Sequence, residues 1–336
     1  MKKYILGVLC ILVVIGTAFT FIESLYTNDI HKAVRYLDTD SDFDIVSFGS
    51  SHGSSFKYND LPIKGHRINK AANTLYYDYQ NFSQVKEHLR PGTLVIFTVS
   101  YFSFGLDENR TIDKDDSYLN DYYEYLGQSE IYDYQWGKRT KMWMHRVQKN
   151  FKNLLDTTSE PDLRILSRSE YNKAHHHPKI IARDNKQYIA SLFQNTEVDI
   201  EEHRKALSKH ARQRARSHTK QAEFKPTGRQ NIYYLEEAIK SCQQSSLVPV
   251  LVTTPFYRDY KKRFKQKWLH QNFYKYIIQL TQKYSVLYID YSEDDRMTDE
   301  AILFYNSDHL NIEGKDVFAK YFFSDLIYRY GFDFNN

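Results

Sequence analysis

The chain has 336 residues, which is enough for one large α/β domain with insertions or for two domains. Its formal net charge is only +4, and it carries no zinc-finger, RNA-binding or helix-turn-helix signature, so nothing indicates a nucleic-acid-binding protein. The two cysteines, Cys10 and Cys242, exclude a disulfide framework within the body and a Cys/His metal pattern. We therefore expect neither a metal nor a cofactor.

The first element is an uncharged apolar run from Tyr4 to Ile22, preceded by Lys2 and Lys3. About 19 residues at a rise of 1.5 Å match the hydrocarbon core of a bilayer. The lysines favour an N-terminus on the inner side, which predicts a single-pass protein whose body is extracytoplasmic. A cleaved signal peptide is the alternative, because the small residues Gly16-Thr17-Ala18 suit a cleavage site. Cleavage there would release the body as a secreted protein.

Residues 1–24 are thus the anchor or signal, and residues 25–42 a polar, partly helical stalk. The next regions, 43–102 and 230–336, alternate apolar runs with amphipathic stretches. The predicted strands are DIVSFG, HRINKAA, TLVIFTVS, LVPVLVTT and SVLYID, and the predicted helices are LYYDYQNFSQVKEHL, IYYLEEAIKSCQQ, FYKYIIQLTQKY and GKDVFAKYFFSDLIYRY. Strands separated by helices of this length predict an α/β fold with a parallel sheet covered on both faces.

Residues 103–229 interrupt this alternation. The stretch is polar, Tyr-rich and charged, with no clean strand, and we interpret it as a large, mostly helical insertion. It leaves the sheet just after the strand that ends at Ser100. Loops at the carboxyl ends of parallel strands frame the ligand crevice, so the insertion is expected to form a wall or lid there.

The last part of this insertion, residues 203–229, holds nine Lys or Arg and one Glu. Such a segment is either a solvated helical face or a contact for anionic lipid headgroups or an anionic polymer. The three consecutive histidines at 175–177 cannot all point one way, and no carboxylate stands at ligand spacing beside them. We expect no metal site there.

The first predicted strand runs into an unusual stretch, Gly49-Ser50-Ser51-His52-Gly53. Gly and Ser are ordinary turn formers, so a plain turn is one interpretation. The other is catalytic, because a serine at the crevice becomes a nucleophile when a base lies within hydrogen-bond reach. His309, in YNSDHLNIEGKDVF, follows a loop and precedes the last helix, and can reach the end of the first strand.

These two blocks resemble those of the SGNH/GDSL hydrolases, which carry Gly-Asp-Ser-Leu after the first strand and Asp-x-x-His near the C-terminus. Gly49-Ser50-Ser51-His52 matches the first block, and His309, followed by Leu-Asn and then Gly314, matches the second. The resemblance implies a three-layer, flavodoxin-like parallel sheet, with Ser51 as nucleophile and His309 as base. It is strongest with the membrane-anchored, extracytoplasmic branch that includes teichoic-acid D-alanyl-transfer and alginate O-acetylation proteins.

The acidic member of the family's triad would lie three residues before His309, where this chain has Asn306. Asp308 is immediately adjacent to the histidine. Asn can orient an imidazole but cannot stabilise the imidazolium by charge, whereas Asp308 has the charge at an awkward spacing. We favour Asn306 as the orienting residue because it keeps the family's position.

The resemblance also implies three oxyanion donors. The first is the backbone N–H of Ser51. The family's glycine after the second strand is replaced here, so Asn73 or Thr74 would supply that N–H, and Ser100 stands near the place of the family's Asn after the third strand. Losing one such donor typically costs about a hundredfold or more in rate.

Candidate substrate-binding residues follow the third and fourth strands. They are Tyr101, Tyr257 and Arg258, which can grip a sugar or an acid group at the crevice. No nucleic acid is expected as a partner.

The first functional hypothesis is a serine-dependent acyl-ester hydrolase or acyltransferase that acts on an extracytoplasmic polysaccharide or teichoic-acid-like polymer. The acyl group would pass to water or to a sugar hydroxyl, and a membrane-bound acyl donor protein is one candidate partner. The alternative is a catalytically divergent binding or scaffold protein in surface-polymer assembly. A third hypothesis is a basic protein that grips an anionic polymer through residues 203–229.

Overall fold

The computed structural model describes residues 42–69, 73–106, 200–223 and 225–334. This part of the chain is a mixed α/β structure with a five-stranded, wholly parallel sheet. The strands lie in the order β2-β1-β3-β4-β5. Their bounds are β1 Ile45–Gly49, β2 Gly65–Asn69, β3 Leu94–Thr98, β4 Val248–Thr253 and β5 Leu287–Asp290.

Eight α-helical segments accompany the sheet in the described residues: α1 Leu75–Val85, α2 Ile200–Ala222, α3 Lys225–Gln244, α4 Arg258–Lys261, α5 Gln266–Leu269, α6 Lys275–Tyr284, α7 Asp295–Thr298 and α8 Ile312–Tyr328. A π-helical turn, His270–Tyr274, joins α5 to α6. Short 3₁₀ turns occupy Ser51–Ser55, Lys86–His88, Ser103–Gly105 and Ala301–Leu303. An antiparallel hairpin of β6 (Phe304–Asn306) and β7 (His309–Leu310) precedes α8.

The predicted α/β class and the parallel sheet are confirmed. Each of the five predicted strands and four predicted helices has a counterpart, with shifted ends. The first helix ends at Val85, and the chain continues as a 3₁₀ turn at Lys86–His88. Pro91 then disfavours helical backbone at Arg90, so this helical segment ends before β3. The helix predicted after residue 229 begins earlier, at Lys225.

Several predictions fall outside the described residues. They concern the anchor or signal at 1–24, nearly all of the stalk at 25–42, residues 70–72 of the second predicted strand, and residues 107–199 of the insertion with the three consecutive histidines. Among the helices that are described, none combines the length and the apolar character needed to span a membrane.

The side chains of the central strands alternate between two packed layers. Ile45, Ile96 and Val250 belong to a buried cluster that contains Phe318 and Phe322 of α8. On the other face, the rings of Phe48 and Phe97 contact Phe82 of α1 at centroid distances of 5.7 Å each. Apolar residues at every position therefore suit these strands, because both faces are covered.

Helix α2 lies in the predicted insertion, yet it packs closely against the α/β structure. Its buried residues, Leu207, Ala211, Ala215 and His218, recur at helical spacing and form one narrow stripe. Near its C-terminal end the helix meets Gly105, where an added Cβ would stand 2.2 Å from the carbonyl oxygen of Gln221. Only a residue without a side chain fits this contact.

Gly105→Ala tests whether α2 is an integral part of the described structure. We expect the variant to be destabilised by about 1–3 kcal/mol, as for other overpacked sites. For a domain of this size the melting temperature should fall by at least about 2 °C. Ser217→Ala, at an exposed position of α2, is the control and should melt like the unmodified protein in circular dichroism. Equal melting of both variants would contradict the packing.

Candidate active site

Ser51 stands at the carboxyl edge of the sheet, at the first position of the turn that follows β1. The chain reaches this position through Gly49, whose φ is +153°. A Cβ added at Gly49 would lie 2.6 Å from the Cβ of Thr98 in β3. Glycine therefore lets the ends of the two strands approach each other, and this close approach sets the direction in which Ser51 leaves the sheet.

His309 of β7 lies beside Ser51. Its Nε2 is 2.8 Å from Ser51 Oγ, and its Nδ1 is 3.0 Å from Asn306 Oδ1. The same Asn306 oxygen accepts the backbone N–H of Asp308 at 3.1 Å, which fixes it as an acceptor. Nδ1 of His309 must then carry the ring proton, so Nε2 has a free lone pair toward the serine hydroxyl.

The environment keeps His309 neutral. Burial lowers its pKa, the Asp308 carboxylate opposes this shift, and the Arg214 cation adds to it. The net direction is downward, so the ring is unprotonated at neutral pH. A neutral imidazole with a free Nε2 is the form that can take a proton from a hydroxyl group.

Asp308 is a fully buried carboxylate next to His309. Its oxygens are 3.3 Å from Arg214 Nε, and one of them is 3.5 Å from His309 Nδ1. Burial by itself would raise the pKa of this carboxyl group. The neighbouring histidines, His309 first, and Arg214 outweigh burial and hold the pKa below its ordinary value. A negative charge therefore stands close to His309 without displacing Asn306 from its Nδ1.

His52, the residue after Ser51, is a second imidazole in the site. Its ring stacks on that of His309 at a centroid distance of 4.6 Å, and its Nε2 is 3.7 Å from an Asp308 oxygen. The side chain is 1% exposed, and burial holds its pKa well below the ordinary value. From the sequence, His52 was predicted only as part of the serine block. Nothing in the sequence of that block indicates that the His52 ring is buried against the ring of His309.

Helix α2 contributes further residues to the site that were not predicted from the sequence. His203, His210, Arg214 and His218 follow one another at spacings of seven, four and four residues, which places them on one face of the helix. His210 Nδ1 is 2.9 Å from Ser307 Oγ, and His218 Nδ1 is 2.6 Å from the Tyr260 hydroxyl. The helical spacing of these four residues was a signal in the sequence that they share a face. It was not recognised because they lie among many other charged residues.

The predicted oxyanion residues differ in their surroundings. The Asn73 amide donates to a carboxyl oxygen of Asp78, a buried group whose pKa is raised to about 8 by burial. Thr74 is the buried residue that precedes α1. The backbone N–H of Ser100 donates to Ser103 Oγ at 2.8 Å, while the Ser100 hydroxyl is buried without a hydrogen-bond partner among the described residues.

The three predicted substrate-binding residues are not brought together. Tyr101 is a core residue, because its ring is fully buried and its hydroxyl donates to Ser292 Oγ at 2.7 Å. Its ring and its hydroxyl are therefore both engaged within the core, and its role in substrate binding stays a prediction. Tyr257 is also almost fully buried, whereas Arg258 is exposed and lies 3.6 Å from Asp299. Both line a groove beside α2.

One group in the described residues has spacing suitable for a metal. The possible ligand atoms of His52, Asp308 and His309 lie within 4.8 Å of one another. However, the Arg214 guanidinium already contacts both Asp308 oxygens, and both nitrogens of His309 have hydrogen-bond partners. The residues present therefore fit an ion-paired carboxylate better than a metal centre.

Comparison with known proteins adds no assignment, since neither a protein-family model nor a curated protein matches this sequence.

Arg214→Gln tests the electrostatics of the site. The arginine lowers the pKa of His309, so its removal should raise that pKa. The titration of His309, followed by histidine NMR and assigned with His309→Gln, should move to higher pH. Lys220→Gln removes a cation from an exposed position of the same helix and is the matched control. An unchanged or lower His309 midpoint in Arg214→Gln would contradict the arrangement.

Proposed function

We propose that this protein is an SGNH-type serine esterase or O-acyltransferase that acts on an acylated cell-surface polysaccharide or teichoic-acid-like polymer. The observation that carries the proposal is the chain of contacts from Ser51 Oγ to His309 Nε2, at 2.8 Å, and from His309 Nδ1 to Asn306 Oδ1, at 3.0 Å. A nucleophile, its base and an orienting group in this sequence are the arrangement that activates a serine hydroxyl.

The fold is consistent with this proposal. The strand order 2-1-3-4-5 is that of flavodoxin-like sheets, whose ligands bind outside the carboxyl ends of the strands. Ser51 follows β1 at that edge. The motif resemblance and the strand order thus independently favour a three-layer SGNH-like domain.

In the proposed first half-reaction, Ser51 Oγ attacks the carbonyl carbon of the ester while its proton moves to His309 Nε2. The carbonyl π-electrons move onto oxygen and form a tetrahedral oxyanion. The backbone N–H of Ser51 is available to this oxyanion, because the first N–H groups of a helical turn have no partner within the turn. The C–O bond to the leaving alcohol then breaks, and His309 returns the proton to that alcohol.

Asp308 has a defined part in this step. When His309 becomes an imidazolium, its Nδ1 carries positive charge 3.5 Å from the buried carboxylate. The Asn306 oxygen holds the ring in place but is uncharged. Orientation and charge stabilisation, which one Asp supplies in a Ser-His-Asp triad, are divided here between two residues.

In the second half-reaction, an acceptor hydroxyl attacks the acyl-Ser51 carbonyl, gives its proton to His309 Nε2 and forms a second tetrahedral oxyanion. The bond from the acyl carbon to Ser51 Oγ then breaks as the carbonyl re-forms, and His309 returns the proton to Ser51 Oγ. Water as acceptor makes the protein an esterase, and a sugar hydroxyl makes it a transferase. The apolar run from Tyr4 to Ile22 favours an extracytoplasmic substrate, since it predicts a membrane anchor with the body outside.

A non-catalytic binding or scaffold protein is the second candidate. The observation that favours it is the Ser100 hydroxyl, the predicted third oxyanion donor, which is buried in the protein. Loss of one oxyanion-hole donor lowers the reaction rate by about a hundredfold or more. Covalent labelling separates the two candidates.

The serine nucleophile is tested with a fluorophosphonate probe on the full-length protein in detergent. We expect labelling of the unmodified protein and none of Ser51→Ala, because only an activated hydroxyl attacks the probe. Ser54→Ala alters a hydroxyl in the same turn and is the matched control, which should label normally. Absence of labelling together with Ser51-independent glycan binding would favour the scaffold candidate and contradict the enzyme.

The orienting role of Asn306 is tested by Asn306→Ala. Without its oxygen, His309 can rotate and adopt the wrong tautomer, so the rate of labelling should fall at least about tenfold. Tyr305→Phe, at the exposed neighbouring position, should leave the rate unchanged. A labelling rate in Asn306→Ala equal to that of the unmodified protein would assign the orienting role elsewhere.

A further inference from the structure

The exposed side of α2 forms one wall of a groove of about 680 Å³. The opposite wall is made by α4 and the residues around it, including Tyr257, Arg258 and Arg263. The groove is distinct from the site at Ser51, because none of its lining residues belongs to the Ser51, Asn306, Asp308 and His309 cluster.

The groove is strongly basic. Seven cationic side chains line it, and two acidic ones, Glu201 and Asp259, accompany them. Arg204 pairs with Glu201 at 2.5 Å, and Arg258 lies 3.6 Å from Asp299. The remaining five have no carboxylate partner among the described residues: Lys205, Lys209, Arg212, Arg216 and Arg263. The lining therefore carries an uncompensated positive charge.

This charge works against α2 itself. Lys205 and Lys209 are four residues apart, as are Arg212 and Arg216, so each pair places like charges on neighbouring turns. Each such pair destabilises a helix slightly. A purely solvated face would be more stable with acidic residues interspersed, whereas a bound anion would offset the repulsion.

The length of the charged row indicates the kind of anion. Arg204 and Arg216 are twelve residues apart on the helix, which corresponds to about 18 Å at 1.5 Å per residue. A single phosphate or carboxylate contacts only one or two of these cations. We propose that the groove binds an extended polyanion, a polymer with repeating phosphate or carboxylate groups.

A membrane surface is a less suitable ligand for the same charges. The groove is concave, whereas a bilayer surface is flat and binds best to protruding basic and apolar side chains. The only aromatic residue in the lining, Tyr257, is 1% exposed and has no ring surface to insert. A flexible polymer can follow the groove and reach all the cations.

The groove adjoins the loop that carries the base. The backbone N–H of Tyr257, in the groove wall, donates to the carbonyl of Ser307 at 3.0 Å. Arg214, on the same helix as the groove cations, contacts Asp308. A polymer in the groove would therefore run close to Ser51. The assignment of this polymer as the acyl carrier rests on the proposed function, whereas the proposal that the groove binds a polyanion does not.

The test measures binding of fluorescent inorganic polyphosphate to the full-length protein in a zwitterionic detergent. The variant Arg212→Glu/Arg216→Glu should weaken binding at least about tenfold, since two attractive contacts become repulsive. Lys220→Glu/Lys267→Glu has the same change in net charge at exposed positions outside the groove, and it should weaken binding less than about twofold. Added salt should weaken binding by the unmodified protein steeply. Circular dichroism checks that both variants are folded.

Equal weakening by the two double variants would overturn the groove as the site, because only net charge would then matter. If the protein binds phosphatidylglycerol vesicles but binds neither polyphosphate nor polygalacturonate, the proposal of a polymer ligand is wrong and a membrane surface is the ligand. Ser51→Ala should bind polyphosphate as the unmodified protein does. Absence of fluorophosphonate labelling of the unmodified protein, with its polyphosphate binding intact, would count against the esterase and leave the groove assigned.

Discussion

A buried carboxylate is stable only when positive or hydrogen-bonding partners surround it, and Asp308 imposes this requirement on the site. Its partners come from separate parts of the chain: Arg214 of α2 and the Ser307 hydroxyl of the hairpin donate to it, and the rings of His52 and His309 lie beside it. Meeting the requirement brings a helix of the predicted insertion against the carboxyl edge of the sheet. The Arg214 contact and the buried stripe of Leu207, Ala211 and Ala215 together hold α2 there, with the basic groove on its outer side.

The same carboxylate accounts for the departure from the resemblance on which the proposal draws. An Asn at position 306 is a weak third member for a serine site if it acts alone. With Asp308 beside it, the neutral Asn306 can fix the ring of His309 while a charge lies close by. Arg214 then limits the influence of that charge, so that the base is not held protonated. The proposed chemistry depends on the balance among these groups.

The sheet could be predicted from the sequence because its central strands, β1, β3 and β4, are apolar at nearly every position. A short continuous apolar run such as TLVIFTVS is typical of a strand that is covered on both faces. Ser51 and His309 were accessible because each lies in a motif beside a predicted strand or helix. The packing of α2 could not be predicted from the sequence. Its buried stripe includes small residues such as Ala211 and Ala215, and it lies within a highly charged segment. The burial of Tyr101 and His52 depends on neighbours distant in the chain, which no local pattern contains.

The concentration of buried imidazoles around Asp308 has a consequence for acid tolerance. His52 and His218 have pKa values well below the ordinary one, chiefly because of burial. An unfolded chain takes up protons on these rings near pH 6.5, whereas the folded chain does not. Acidification therefore draws the equilibrium toward the unfolded state, and the depressed pKa of Asp308 acts in the same direction at still lower pH. Mild acid should therefore lower the free energy of unfolding of this protein, and the proton uptake responsible should be concentrated on the histidines around Asp308.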